Sequence, residues 1–145
     1  MISLRDSQKV LIVGWYGTET AGDKAILYGV IEWVREKYPR CAIQLSSLFP
    51  FITRRTLIEL SLSDIEVLET YSKDFEKACA ACCAVVVGGG PLMDIEQLDH
   101  ILFAFYEARS MNSDRVVLGC GIGPLNSPRY KEAVRRILTL ATYVG

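Results

Sequence analysis

Three short runs of the chain carry no polar residue: Val10-Leu11-Ile12-Val13, Ala84-Val85-Val86-Val87 and Val116-Val117-Leu118. Glycine follows each at once. Short β-branched runs that are apolar at every position, not every second one, read as strands covered on both faces. They predict a parallel sheet sandwiched between helices, with these three strands central. Over residues 22–38 the period changes. Ile26, Leu27, Val30, Ile31, Val34 and Tyr38 recur at helical spacing, Glu32, Arg35, Glu36 and Lys37 take the other side, and Pro39 ends the helix. Residues 42–48 read as a second strand and 65–68 as a short third one, with Asp64 before it as turn chemistry. A helix over residues 72–81 leads into the Val85 strand. A longer one over 95–111 carries Leu98, Ile101, Leu102, Phe105 and Tyr106 on its inner stripe and stops at Asn112-Ser113-Asp114. Ser127-Pro128 opens a last helix through Val134, Ile137, Leu138 and Ala141, with Pro at its first turn. The segment between the second and third strands reads as helix or loop. The order β-α-β-α/loop-β-α-β-α-β-α predicts an α/β fold, a doubly wound parallel sheet with helices on both faces and right-handed crossovers.

Composition narrows what such a fold does. The chain has 145 residues, 50% of them apolar, which is one domain's worth and enough for one packed core. Lys and Arg total 16 against 17 Asp and Glu, so no positive field is available for phosphate backbones and no nucleic-acid partner is expected. Met1 to Asp6 lack a signal-peptide core, and no apolar run approaches the roughly 18 residues of a membrane span. The reading is a cytoplasmic protein that does not span a membrane. Five cysteines, an odd number, fit reduced thiols. Cys79, Cys82 and Cys83 form C-x-x-C with a neighbour, but no second pair follows and the one histidine, His100, lies well downstream. They read as small buried residues at a helix-to-strand junction, so no metal and no cofactor is expected.

Candidate chemistry sits where the apolar strands end, because open parallel sheets bind ligands outside the carboxyl ends of their strands. The first strand is followed by Gly14-Trp15-Tyr16-Gly17-Thr18-Glu19-Thr20-Ala21-Gly22-Asp23. The Val85 strand is followed by Gly88-Gly89-Gly90-Pro91-Leu92-Met93-Asp94, and the Val116 strand by Gly119-Cys120-Gly121-Ile122-Gly123-Pro124. One glycine loop is what any tight strand-to-helix turn needs. Three on one edge predict a floor of backbone N–H groups that a ligand approaches closely, some of them at helix N-termini. The first loop is neither a dinucleotide fingerprint nor a Walker A motif: Gly14, Gly17 and Gly22 do not give G-x-G-x-x-G, and no Gly-Lys-Ser/Thr follows. Asp23 and Asp94 each stand just past a glycine turn. Two readings are open for both: capping of the helix that begins there, or hydrogen bonding and proton transfer to sugar hydroxyls. Trp15 and Tyr16 read equally as a stacking wall for a sugar ring or as packing beneath the loop. Arg54 and Arg55 read as surface residues opening a helix, and His100 as a solvated residue beside Glu96, Asp99 and Glu107.

Together the three loops resemble the polysaccharide pyruvyl transferase family. Its G-Y-Y-G…N-x-G-D-E-A-x-L segment corresponds to Gly14-Trp15-Tyr16-Gly17…Thr20-Ala21-Gly22-Asp23-Lys24-Ala25-Ile26-Leu27. Its G-G-G-x-L-x-D corresponds to Gly88-Gly89-Gly90-Pro91-Leu92-Met93-Asp94, and its G-x-G-I-G-P to Gly119-Cys120-Gly121-Ile122-Gly123-Pro124. The family's Asn and Glu around the Gly-Asp pair are replaced by Glu19-Thr20-Ala21 before it and Lys24 after it.

The resemblance implies a Rossmann-like domain over residues 1–145, half of a two-domain architecture like that of type B glycosyltransferases, cut before a second α/β domain. The end of the chain, Ala141-Thr142-Tyr143-Val144-Gly145, itself reads as the start of an unfinished strand. The implied activity moves a pyruvyl group from phosphoenolpyruvate to two hydroxyls of one sugar of a polysaccharide or its precursor. This chain would be the acceptor side, inactive alone, with the donor bound mainly by the missing half. The implied site residues are Asp23 and Asp94 for catalysis, and Gly14, Trp15, Tyr16, Gly17, Gly22, Gly88, Gly89, Gly90, Pro91, Gly121, Gly123 and Pro124 for substrate binding. Two other readings stay open: half of a type B glycosyltransferase that uses a nucleotide-sugar, and a binding module of the same fold without catalysis.

Overall fold

The computed structural model describes residues 8–18 and 21–145. Among them the chain alternates strand and helix throughout: β1 (Lys9–Val13), α1 (Ala21–Lys37), β2 (Ala42–Ser47), α2 (Pro50–Glu59), β3 (Glu66–Glu69), α3 (Lys73–Ala81), β4 (Ala84–Gly88), α4 (Leu98–Ser110), β5 (Asp114–Leu118), α5 (Pro128–Leu140) and β6 (Tyr143–Val144). All strands pair in parallel in one sheet of order β3-β2-β1-β4-β5-β6. This is the Rossmann order, and it reverses between β1 and β4.

The continuous apolar runs are explained by which way alternate side chains point. In β1, Val10 and Ile12 enter one core with Leu27, Val30, Ile31 and Val34 of α1 and Leu57 of α2. Leu11 and Val13 enter the other, with Phe75 and Cys79 of α3, Leu98, Ile101 and Phe105 of α4, and Val134 and Ile137 of α5. All four of these β1 side chains are fully buried. Strand β4 divides the same way, with Val86 on the first side and Val85 and Val87 on the second. Each buried Val, Leu or Ile contributes roughly 1.5–3 kcal/mol, so a polar residue on either face of these strands is strongly disfavoured.

Four expectations need correction. The first helical stripe was expected to bury Ile26, which is 42% exposed at the carboxyl edge of the sheet. The long helix begins at Leu98 rather than residue 95, because residues 91–97 run on as an irregular loop. Its inner stripe is Leu98, His100, Ile101, Ala104, Phe105 and Ala108, while Tyr106 lies outside. His100 is therefore in the core, not solvated. It shares a face with Ala104 and Ala108 at four-residue spacing, and those alanines are too small to announce a buried face.

The short terminal segment pairs as β6 on the outer side of β5, and Tyr143 stacks on Trp33 at 5.8 Å. No helix among the described residues is long and apolar enough to cross a membrane. Among those residues all five thiols are free. Burial pushes Cys82 and Cys120 up to about 11 and Cys83 to about 12, and raises Cys79 further, so the thiolate forms are suppressed.

Candidate functional site

The three glycine loops meet at the carboxyl edge, across the reversal between β1 and β4. Hydrogen bonds to main-chain carbonyls tie them to one another. The β4 loop runs beside the β5 loop as a short extension of the sheet: the Leu92 N–H donates to the Gly121 carbonyl at 2.8 Å, and the Gly123 N–H returns to the Leu92 carbonyl at 3.0 Å. The β1 loop is held to the β4 loop by its two aromatic residues. Tyr16 Oη donates to the Gly88 carbonyl at 2.6 Å, and Trp15 Nε1 donates to the Pro91 carbonyl at 3.1 Å. On the opposite flank the Leu48 N–H donates to the Tyr16 carbonyl at 2.8 Å, which fixes the loop to the end of β2.

Glycine is required where these loops touch. At Gly90 the backbone has φ of 77°, and a Cβ would fall 2.2 Å from Trp15 Cδ1. Gly17 has φ of 111°, and a Cβ there would meet the Phe49 nitrogen at 2.5 Å. Gly121 is different. It has no positive φ, and nothing lies within 4 Å of where its Cβ would be.

Between the loops, Trp15, Tyr16, Asp23, Gly89 and Gly90 line a recess of about 20 Å³. That volume is little more than a single water requires, roughly 10–15 Å³. Tyr16 is 3% exposed and packs beneath the loop, so of its two readings the packing one describes it. Trp15 is half-buried between Gly90 and His100, with its ring edge-on to the imidazole at 5.9 Å. Gly22 and Asp23 lie in the first turn of α1, where the helix dipole favours a carboxylate. The adjacent Lys24 is paired with Glu59 of α2 at 2.6 Å. Glu19 and Thr20 lie outside the described residues.

Asp94 does not cap the helix that follows it, because α4 starts four residues later at Leu98, with Gln97 at its N-cap position and no side-chain cap. Its Oδ2 instead accepts the Asn126 N–H at 2.8 Å and the Ser127 N–H at 3.2 Å, just ahead of α5. Its Oδ1 is buried without a hydrogen-bond partner. The carboxylate thus fastens the β4 loop to the segment that carries Gly123 and Pro124 into α5. Charged hydrogen bonds of this kind contribute roughly 1.5–3 kcal/mol. Asp94→Ala should lower unfolding stability by about 2 kcal/mol in urea titrations; an unchanged midpoint would show that the clamp is energetically idle.

Arg54 and Arg55 lie in the middle of α2, exposed, and Arg55 is within 3.7 Å of Glu59. They stay outside the crevice. Among the described residues no group of His, Cys, Asp and Glu is arranged to hold a metal ion.

A family model of polysaccharide pyruvyl transferases matches residues 21–145. The chain belongs to the polysaccharide pyruvyl transferase family. The match takes in the Gly22-Asp23 pair and the whole of the β4 and β5 loops, whereas Gly14 to Gly17 precede it. No curated protein matches the chain. The family is one of transferases, and its ordinary acceptor is a sugar of a polysaccharide.

Two features of the site escaped the sequence reading. One is the buried position of His100 against Trp15, which the small Ala104 and Ala108 on the same face did not announce. The other is the long-range clamp by Asp94, for which the sequence carries no signal because it joins segments 32 residues apart.

Proposed function

We propose that this chain is the acceptor-binding half of a pyruvyl transferase that acts on a sugar of a cell-surface polysaccharide or its precursor in the cytoplasm, with phosphoenolpyruvate as donor. The reaction adds two hydroxyl oxygens of one sugar to the enol carbon of the donor. The methylene carbon takes a proton, the bond to the phosphate oxygen breaks, and a cyclic ketal and inorganic phosphate result. The observation that carries this reading is the convergence of three glycine loops, cross-linked by hydrogen bonds to main-chain carbonyls, in a chain of this family.

The recess is too shallow to enclose a ligand, whereas small-molecule sites commonly bury 70–90% of one. A facing surface is therefore part of the proposal. A second α/β domain would supply it, together with the cationic groups that the donor's carboxylate and phosphate need. The described part of the crevice offers Asp23 and glycine backbone, which suits a neutral polyol better than a trianion. In this reading Asp23 takes the proton of an attacking hydroxyl, and the Gly89, Gly90 and Gly121 backbone lies against the sugar ring.

Two substitutions test it in the full-length protein. Asp23→Asn should cost no more than the roughly 0.3–1 kcal/mol of a first-turn carboxylate with the helix dipole, and should lower phosphate release from phosphoenolpyruvate by about 100-fold or more, the usual range for a lost general base. Unchanged turnover would reduce Asp23 to a helix-end residue. Gly121→Ala should also fold normally, since its Cβ enters open space. A large rise in acceptor KM would show that the ligand approaches there, and wild-type kinetics would move the sugar elsewhere.

A further inference from the structure

A second hollow opens on the same carboxyl edge, between the first turns of α3 and α4. It holds about 320 Å³, at the lower end of the roughly 300–1,000 Å³ of small-molecule sites, and is lined by Tyr71, Phe75, Glu76, Asp99, His100 and Phe103. Three aromatic rings and the imidazole form its body: Tyr71 and Phe75 stand edge-on to His100 at 5.7 and 6.0 Å, and Phe103 packs on Phe75 at 6.3 Å. Trp15 joins this hollow to the crevice. One side of its ring meets Gly90 and Pro91, and the ring stands edge-on to His100.

We propose that this hollow is a second saccharide subsite, which takes the neutral sugar unit next to the one that receives the pyruvyl group. The inference rests on the acceptor reading above and extends it. Three observations select a neutral polyol. Glu76 and Asp99 give the rim negative charge, which repels the phosphate and carboxylate of the donor and accepts hydroxyl hydrogens; one oxygen of Asp99 also receives Arg129 at 2.7 Å. His100 is 2% exposed, and neither ring nitrogen completes a hydrogen bond, although the Gln97 and Gly14 backbones lie nearby. Burial holds its pKa down at about 4, so the ring is neutral at pH 7 and adds no positive charge that would draw the donor's anionic groups into the hollow. Tyr71, finally, stands at the mouth on the turn from β3 to α3, 61% exposed, so an aromatic face is open to the C–H side of a sugar ring.

His100 is the single histidine of the sequence, so its ring protons give an unambiguous NMR reporter. The protein would be titrated at pH 7 with cellobiose, lactose and chitobiose, with their monosaccharides, and with choline and inorganic phosphate as cationic and anionic probes. The expected result is a saturable shift of the His100 signals with at least one disaccharide, at a Kd about tenfold or more below that of its monosaccharide. Tyr71→Gly and Phe103→Ala should each lose the shift, and Tyr71→Gly should melt no earlier than the wild type because glycine relieves the backbone there, whose φ is 69°. No shift with any saccharide, a tighter response to choline or phosphate, or a saccharide shift that survives both substitutions would overturn the proposal. Saccharide shifts without phosphate release from phosphoenolpyruvate on any acceptor would remove the transfer reading and leave the saccharide site standing.

Discussion

Replacing Gly90 with alanine is expected to cost roughly 2–5 kcal/mol of stability and to abolish transfer. The left-handed backbone at φ of 77° contributes roughly 1–2 kcal/mol of that with any Cβ present. Forcing a methyl group to 2.2 Å from Trp15 Cδ1 adds the roughly 1–3 kcal/mol typical of an overpacked site. The ring can yield only by giving up its bond to the Pro91 carbonyl, which joins the first two loops. Gly119→Ala is the matched control: its φ of 61° is also positive, but its Cβ would meet nothing within 4 Å, so it should lose only the backbone share. Urea unfolding of both variants measures the difference. Equal losses would show that the Trp15 contact is slack and that the loops are not held together in the way described.

The second large effect concerns pH. The His100 imidazole has a pKa of about 4 in the folded protein against an ordinary 6.5, because burial disfavours its cation. Above pH 6.5 it is neutral folded or unfolded and contributes nothing to the pH dependence. Between 6.5 and 4 the unfolded chain binds the proton and the folded one does not, so stability falls as the solution is acidified. At 1.36 kcal/mol per pKa unit the loss approaches about 3 kcal/mol near pH 4. The exposed carboxylates of Glu59, Glu66 and Glu132 have pKa values lowered by their partners, chiefly Lys24, Gln44 and Arg135, so their contributions fade only below the ordinary 4.5. The window from 6.5 to 4.5 therefore belongs mainly to His100. Unfolding free energies across that window should slope for the wild type and flatten for His100→Phe, which keeps an aromatic ring and loses the titrating group. An equal slope in both would mean that the imidazole is not buried as described.

How far the sequence foretold this arrangement depends on the range of the interactions. The central strands were legible because burial on two faces demands an unbroken apolar run, as in Val10 to Val13, and the shared edge of the glycine loops followed from parallel pairing. The strand order was not legible, since it depends on which face each crossover helix chooses. That choice is made by packing such as Leu27 and Val30 on one side and Phe105 and Ile137 on the other. Helix α2 was left between helix and loop because Pro50-Phe51-Ile52-Thr53 is a short apolar stretch with β-branched residues, and its buried Thr53 and Thr56 do not mark a stripe. The glycine and aspartate positions of the crevice stood out as motifs. What each does there did not, because Asp94 serves the start of α5 and Tyr16 serves the Gly88 carbonyl, contacts between residues far apart in the chain.

The central claim is that this crevice presents a sugar for pyruvylation. Its most direct measurement is the stoichiometry of the reaction: the full-length protein, phosphoenolpyruvate and a panel of saccharide acceptors, with phosphate quantified and the saccharide product analysed for a ketal. Acceptor-dependent phosphate release matched mole for mole by pyruvylated sugar is the expected result. Phosphate release without ketal, or no turnover of phosphoenolpyruvate where a nucleotide-sugar is consumed to form a glycoside, would contradict it.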